Sequence, residues 1–206
     1  MIIECKEENS QDLYKILLGC VVPRPIAWVS SQSIDGVLNL APFSFFNAFS
    51  ADPPIIGLGI GMKTRKSEDG SRSLVPKDTL KNILETKEFV VNVVSYQHAD
   101  KMNRSSAEYD PAVSEFEQAG LTPSPSKLVK PPYLKESMVS MECRLFQHIE
   151  LPRSSIILGE VLCFHIKDEA WDGHGIIHDV LQPIGRLAGS AYCKTDSVFD
   201  MTRPRV

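Results

Sequence analysis

The sequence has no run of the roughly 20 apolar residues that a bilayer-spanning helix requires. Its first residues turn acidic at once and lack the basic-then-apolar order of a secretory signal peptide. Basic clusters are also missing: 22 Lys and Arg against 26 Asp and Glu give a net charge of −4, which disfavours binding to nucleic-acid phosphates. We therefore expect a cytoplasmic protein whose partners include neither a membrane nor a nucleic acid.

Cysteine pairs of the metal-binding or redox type are absent, because no two cysteines are spaced as CxxC. Five scattered cysteines are interpreted as reduced, mostly buried small hydrophobic residues: Cys5, Cys20, Cys143, Cys163 and Cys193. His174 and His178 have a spacing that binds metal on a helix, but Gly173 and Gly175 weaken that helix. Two loop or surface histidines are the favoured interpretation, and no metal site is expected.

Two common enzyme motifs are missing as well. No G-x-S-x-G nucleophile elbow occurs, so Ser30-Ser31 or Ser154-Ser155 would act in hydrolysis only if the fold brought a histidine close. Gly57-Leu-Gly-Ile-Gly61 follows an apolar run, but Met62 stands where the dinucleotide fingerprint requires glycine. Glycines that alternate along a strand instead indicate a close approach by another strand or by a flat ligand.

Apolar periodicity predicts many strands and few helices, in one domain spanning residues 1–206. The predicted strands are 26–31, 37–41, 55–60, 88–94, 138–151 and 155–166, and the clearest helices are 10–19 and 77–86. A polar loop is predicted for 63–76, helical pieces for 96–120 and a proline-rich extended connector for 121–134. Short links between the strands favour a mainly β fold, an antiparallel barrel with helical insertions.

The segment from residue 43 to residue 50 combines bulky rings with small hydrogen-bonding side chains. Its rings are Phe43, Phe45, Phe46 and Phe49, and its polar side chains are Ser44, Asn47 and Ser50. A flat aromatic cofactor would suit this composition, because the rings can wall its faces while amides and hydroxyls bind its polar edge. A packed dimer interface rich in phenylalanine is the alternative, and both interpretations can hold together.

Lys77, Asp78 and Thr79 stand at the start of the second predicted helix, just after Pro76. The N–H groups of a helix's first turn are unpaired and its dipole is positive there, so a lysine and a hydroxyl at this point make a good phosphate seat. Simple helix capping, with the lysine in solvent, explains the same residues equally well.

Several of these motifs, in their order along the chain, resemble the flavin reductase-like, FMN-binding split-barrel family. The motifs are V22-PRPIAWVS-S31, D35-G36, N39-LAPFSFF-N47, D52-P-P54, K77-D-T79, E88-FVV-N92, G159-E-V161 and G185-RLA-G189 followed by Tyr192. They cover nearly the whole chain and look most like the branch associated with flavoprotein oxygenases.

The resemblance implies a split β-barrel that forms a homodimer and holds FMN near the dimer interface. Residues implied at the ring are Phe43, Ser44, Phe45, Phe46, Asn47 and Ser50; at the ribityl phosphate, Arg24, Ser30, Lys77, Asp78 and Thr79. Arg186 and Tyr192 are implied near the cofactor, in substrate-binding positions.

One departure from the family pattern concerns the turn before the strand that ends in G-E-V. Short-chain flavin reductases of this family often carry G-D-H-T there, whereas this chain has Leu151-Pro-Arg-Ser-Ser155 and no histidine. Arg153 in that turn would meet an anionic donor or substrate, or else point into solvent.

Three activities therefore stay open. The first is an FMN-dependent oxidoreductase that takes a hydride from NADH or NADPH and passes electrons onward. The second is a flavoredoxin-like module that carries electrons between protein partners without turnover of its own. The third is a split barrel that binds another planar ligand, such as heme.

Overall fold

The structure, a computed structural model, describes residues 1–6, 10–66, 69–110 and 112–204. Its strands are β1 (Ala27–Gln32), β2 (Leu38–Phe43), β3 (Phe46–Ala51), β4 (Pro54–Gly61), β5 (Lys63–Lys66), β6 (Arg72–Val75), β7 (Glu88–Val93), β8 (Pro123–Ser124), β9 (Tyr133–Leu134), β10 (Val139–Leu151), β11 (Ser154–Ile166), β12 (Ile184–Arg186) and β13 (Tyr192–Lys194). Its helices are α1 (Ser10–Cys20), α2 (Asp78–Thr86), α3 (Ala99–Arg104), α4 (Glu115–Gln118) and α5 (His178–Leu181).

Seven strands form one sheet in the order β2-β1-β7-β10-β11-β4-β3. Every neighbouring pair in this sheet is antiparallel. The sheet curls until β2 lies beside β4, so that one of its faces encloses a core. The predicted mainly β, antiparallel barrel with helical insertions is confirmed. Among the described residues, no helix has the length and apolar character needed to cross a membrane.

The strands are buried on both faces, as β1 illustrates. Ala27 and Val29 face the enclosed core, because successive side chains of a strand point to opposite sides. Trp28, between them, points outward into a second apolar cluster that includes Met102 of α3. The indole Nε1 of Trp28 donates a hydrogen bond of 2.8 Å to Ser105 Oγ, so the helical insertion covers the outer face of the sheet.

Helix α2 packs against the enclosed core as its sequence predicts. Leu80 and Ile83 are buried in the core and Leu84 packs against it, which is the spacing of one helical face. The helix ends at Thr86, its C-cap residue Lys87 has a left-handed backbone with φ 65°, and β7 begins at the next residue. The N-terminus of α2 is thereby fixed at a mouth of the barrel.

The alternating glycines of β4 lie on its outer face, opposite the core residues Ile56, Leu58 and Ile60. The missing side chains do not leave a groove on this face, because the ring of Phe49 covers Gly57 and Phe45 covers Gly59. The N–H of Gly59 also donates a 2.7 Å hydrogen bond to the carbonyl of Phe45. The predicted close approach is confirmed, and the approaching chain is the phenylalanine-rich segment itself.

The proline-rich connector, residues 121–134, is fastened to the sheet by the fully buried carboxylate of Glu142. This group accepts the backbone N–H groups of Lys127 and Leu128, both at 2.6 Å, and of Val129 at 3.2 Å. His165 Nε2 also contacts it. Burial alone would raise the pKa of Glu142, but the hydrogen bonds from His165, Lys127 and Leu128 outweigh burial and lower it.

The predicted loop 63–76 is different from expectation, because it contains the antiparallel pair β5 and β6. Apart from a half-buried Lys63 and Val75, the described side chains of the pair are exposed. Exposed strands need no alternation of apolar and polar residues, and this alternation is the pattern by which a strand is predicted from sequence. Residues 67 and 68 lie outside the described residues.

Candidate functional site

A cavity of about 750 Å³ opens between α1, the end of β2, the outer face of β4 and the C-terminal segment 186–192. Eight residues singled out from the sequence line it: Arg24, Phe43, Ser44, Phe45, Lys77, Arg153, Arg186 and Tyr192. Four of these are cationic, and no carboxylate occurs among the described residues of the lining. The cavity is therefore suited to an anionic ligand.

An aromatic wall on one side of this cavity is formed by Phe43 and Phe45. Phe43 is nearly buried, and Lys77 Nζ lies 5.9 Å from the centre of its ring. Phe45 is 44% exposed, and its Cβ lies so near Gly59 that any side chain at 59 would displace it. Gly59 and Phe45 together therefore fix the shape of this wall.

Arg24 lines the cavity, but its guanidinium group donates its hydrogen bonds to other groups of the protein. Its guanidinium donates to the carbonyls of Leu18 at 2.8 Å, Val21 at 2.7 Å and Leu187 at 2.9 Å. Its Nε donates to Ser44 Oγ at 3.4 Å, and the residue is only 4% exposed. Arg24 thus joins the C-terminal end of α1, the C-terminal segment and Ser44, and it shapes the cavity more than it offers donors to a ligand.

Arg186 and Tyr192 close the cavity on the C-terminal side. The guanidinium of Arg186 lies 4.4 Å from the centre of the Tyr192 ring and donates to the carbonyl of Gly189. Backbone hydrogen bonds of 2.9 and 2.8 Å join Arg186 to Arg24, which attaches this segment to the entrance of β1. Arg153 approaches from the β10–β11 turn, where it is exposed.

A second cavity of about 780 Å³ lies beside the first and shares Lys77 and Ser106 with it. Asp78 and Thr79 line this second cavity only, so of the three residues of the predicted phosphate seat Lys77 stands where the two cavities meet. Lys63 Nζ, on β5, lies 2.9 Å from a carboxylate oxygen of Asp78. That contact offsets the negative charge that Asp78 brings to the seat.

The N-terminus of α2 opens toward this junction. Lys77 is its N-cap residue, with extended backbone, and no side chain of the described residues caps it. The amides of the first helical turn and the positive end of the helix dipole are therefore available to an anion. Thr79 Oγ1, by contrast, is buried and donates a 2.6 Å hydrogen bond to Asn39 Oδ1.

Four of the predicted residues do not line either cavity. Ser30 is fully buried and donates a 2.6 Å hydrogen bond to the carbonyl of Pro132, on the connector. Phe46 packs against the enclosed core. Asn47 and Ser50 lie on the exposed strand β3, where Asn47 Oδ1 accepts the N–H of Ala48 and Ser50 Oγ donates to the carbonyl of Asp52.

Sequence reasoning missed Glu115 and the polar role of Asn39. Glu115 lies on α4 and is 8% exposed, and its carboxylate accepts Asn39 Nδ2 at 2.7 Å and the N–H of Leu40 at 2.9 Å. Burial raises the pKa of Glu115, and the charge of Asp78 adds to the rise, against the hydrogen bonds from Leu40 and Asn39. An isolated glutamate in a helical insertion carries no sequence signal of such a role.

The fold does bring a histidine to one serine considered for hydrolysis. His148 Nε2 and Ser155 Oγ are hydrogen-bonded at 2.9 Å, but Ser155 is only 1% exposed, so a substrate has no access to its hydroxyl. Among the described residues, one group has three possible metal ligands close together: Glu142, Cys163 and His165. The carboxylate of Glu142 is already occupied by the connector's amides.

Residues 18–179 match the family described as "Flavin reductase like domain". The chain belongs to the flavin reductase-like family. Its fold is accordingly the split β-barrel that the resemblance implies. An uncharacterized protein of Aquifex aeolicus is 45% identical over 190 residues, which are 92% of this chain and 93% of that protein.

Two solved structures match this flavin reductase-like chain over most of its length. Nitrilotriacetate monooxygenase component B from Bacillus cereus has a TM-score of 0.88 and 34% identity, covering 98% of this chain and 99% of that one. The 2-nitrobenzoate 2-nitroreductase NbaA of Pseudomonas fluorescens has a TM-score of 0.83 and 30% identity, covering 98% and 96%. Both names describe redox proteins, so the structural neighbours of this chain include oxidoreductases.

Proposed function

We propose that this protein binds FMN across the two cavities and is an oxidoreductase of the flavin reductase type. The observation that carries the proposal is that a cationic, aromatic-walled cavity adjoins the uncapped N-terminus of α2 at Lys77. A planar ring with a phosphate tail would suit the cleft that the two adjoining cavities form.

The residues of the cleft fit such a molecule at both ends. Phe43 and Phe45 would hold the ring, with Ser44 at its edge, and Lys77 with the first amides of α2 would hold the phosphate. FMN, once bound, supplies the hydride and electron chemistry, so the chain itself needs no acid or base. The chain's contribution is to orient the cofactor and to line the first cavity with cationic groups.

The electron donor is proposed to be NADH or NADPH, with Arg153 and Arg186 offering cationic contacts to its phosphates. A flavoredoxin-like carrier is the second candidate, and the turn at Arg153 favours it. Neither that turn nor the described lining of the first cavity contains a histidine. On this second reading the donor is a redox protein.

We further propose that the protein forms a homodimer through the outer face of β3 and its neighbours. Phe49 is 65% exposed on an edge strand whose described side chains beyond Phe46 are all exposed. Phe146 and Ile149 on β10 are also exposed. Unpaired edges and exposed aromatic groups of this kind favour a partner subunit. Phe45 belongs to both this face and the first cavity, so a partner would complete the cleft.

The first experiment is a visible spectrum of the purified protein, because bound flavin and bound heme absorb differently. FMN and riboflavin, which lacks the phosphate, are then titrated into the wild-type protein, Lys77→Ala and the exposed control Lys135→Ala. Because a charge-assisted hydrogen bond contributes about 1.5–3 kcal/mol, Lys77→Ala should weaken FMN at least about tenfold. Riboflavin affinity should stay unchanged, and equal losses for both ligands would refute the phosphate assignment.

Turnover separates the two candidates. Oxidation of NADH or NADPH by the FMN-loaded protein, followed at saturating cofactor, is expected for a flavin reductase. Tight FMN binding with no oxidation of either nucleotide would instead establish the electron carrier. The molar mass of the protein and of Phe49→Ser, measured by light scattering after size exclusion, tests the homodimer.

A further inference from the structure

A buried chain of polar groups runs from α4 to the first turn of α2. The carboxylate of Glu115 accepts Asn39 Nδ2 at 2.7 Å, and Asn39 Oδ1 accepts Thr79 Oγ1 at 2.6 Å. Asn39 Oδ1 also accepts Ser31 Oγ at 3.2 Å, and Ser31 Oγ accepts Asn82 Nδ2 at 3.1 Å. The chain therefore attaches α2 at two points, one turn apart.

The chemistry of the amide makes this arrangement directional. An asparagine side chain donates only from its nitrogen and accepts only at its oxygen. Because a carboxylate can only accept, Glu115 fixes Nδ2 toward itself and Oδ1 toward Thr79. Thr79 is the second residue of α2, so this bond holds the first helical turn, whose N-cap residue Lys77 lines both cavities.

We propose that Glu115 is a positioning residue for the phosphate end of the flavin, acting through Asn39 and Thr79 on the first turn of α2. The inference rests on the proposed function, because it concerns the seat where that phosphate would bind. Glu115 itself does not touch the cofactor in this arrangement, and its effect is to keep the α2 amides fixed before the anion arrives.

The charge of Glu115 works in the opposite direction from its hydrogen bonds. An ionised carboxylate near a phosphate seat repels the phosphate, and Asp78, which shares the second cavity, does the same. Glu108 and Asp110 also line that cavity, and four cationic side chains in the lining counter these carboxylates: Lys63, Arg65, Lys77 and Lys81. Replacing Glu115 thus tightens phosphate binding if charge dominates and weakens it if positioning dominates.

The variant Glu115→Gln separates these effects, since glutamine keeps the shape and removes the charge. Its amide nitrogen would face either Asn39 Nδ2 or the N–H of Leu40, donor against donor, so one of the two hydrogen bonds that Glu115 accepts is lost and its hold on residues 39 and 40 is weakened. Asn39→Ala breaks the chain and leaves the Glu115 charge in place. Glu117→Gln, on the exposed face of the same helix, is the matched control.

Dissociation constants of FMN and of riboflavin are measured for each variant by flavin fluorescence, with thermal unfolding recorded in parallel. Glu115→Gln and Asn39→Ala should each raise the FMN constant about tenfold and change the riboflavin constant by less than about twofold. Glu117→Gln should match the wild type. Thr79→Val combined with Glu115→Gln should lose little more than either alone, because both break one chain.

Three results would overturn the inference: tighter FMN binding by Glu115→Gln, an equal loss of FMN and riboflavin affinity, or no difference from Glu117→Gln. If Glu115→Gln does not fold, Asn39→Ala and Thr79→Val decide by the same comparison. A wild-type protein that binds neither flavin refutes the proposed function and the inference together. Wild-type binding with insensitive variants refutes only the inference.

Discussion

Four glycines of β4 and β11 allow a graded test of how rigidly the barrel holds its phenylalanines. A Cβ atom at Gly159 would lie within 3.0 Å of the Phe89 ring, and one at Gly59 would lie 2.8 Å from Phe45 Cβ. A Cβ at Gly57 would meet the far edge of the Phe49 ring, and one at Gly61 would meet nothing within 4 Å. Alanine at each position therefore meets neighbours of decreasing rigidity.

The expected destabilisation follows from what can move. Phe89 is fully buried in the enclosed core, so Gly159→Ala should cost about 3 kcal/mol, the upper range of overpacking. At Gly59 the obstacle is a Cβ joined to a hydrogen-bonded backbone, and a cost of about 1–2 kcal/mol is expected. Phe49 can swing into solvent, so Gly57→Ala should cost less than about 1 kcal/mol.

Gly61→Ala is the control, and it should be neutral or stabilising by about 0.5 kcal/mol, since alanine restricts the unfolded chain. Urea unfolding at constant slope gives the four changes in the free energy of unfolding. Equal stability of Gly159→Ala and Gly61→Ala would refute the reasoning, because Phe89 would then have room to move. FMN affinity should fall for Gly59→Ala but not for Gly57→Ala or Gly159→Ala, since only Phe45 of the three rings lines the cavity.

Two further predictions concern the contacts that hold separate segments to the barrel. Because the pKa of Glu142 is lowered on folding, its contribution to stability is present above its unfolded pKa and is lost as pH falls through the folded value. Glu142→Gln should therefore lower the free energy of unfolding by about 1–3 kcal/mol near pH 7 and flatten its acid dependence, both measured by urea unfolding. Arg24→Lys cannot reach the carbonyls of Leu18, Val21 and Leu187 together, so limited proteolysis should cut the C-terminal segment faster, whereas unchanged cleavage would contradict this role.

Local patterns in the sequence predict the parts of this fold that depend on local physics. Strand β7 and helix α2 appear where their apolar residues place them, because burial on both faces decides the strand and burial of one face decides the helix. Phe43 and Lys77 line the same cavity. The family resemblance predicted that these two residues would lie together, whereas apolar periodicity carries no information on which elements meet. Periodicity alone would have given the elements and not their assembly.

Partners that are distant in the chain explain what sequence reading did not reach. The hydroxyl of Ser30 is bound by a carbonyl 102 residues away, and a guanidinium nitrogen of Arg24 by one 163 residues away. Both residues were expected at the phosphate, yet neither contact has a local signature. Glu115 lies 76 residues from Asn39, and nothing near either residue marks the bond.

These distant contacts hold together the separate segments that form the walls of the cleft. Arg24 joins the C-terminal end of α1 to the C-terminal segment, and Glu115 joins the helical insertion to α2 through Asn39. Each attachment is a buried charged group that binds two separate segments, so releasing it would open a wall of the cleft while the enclosed barrel core stays packed. Cofactor affinity should therefore respond to these two residues more sharply than the stability of the barrel does.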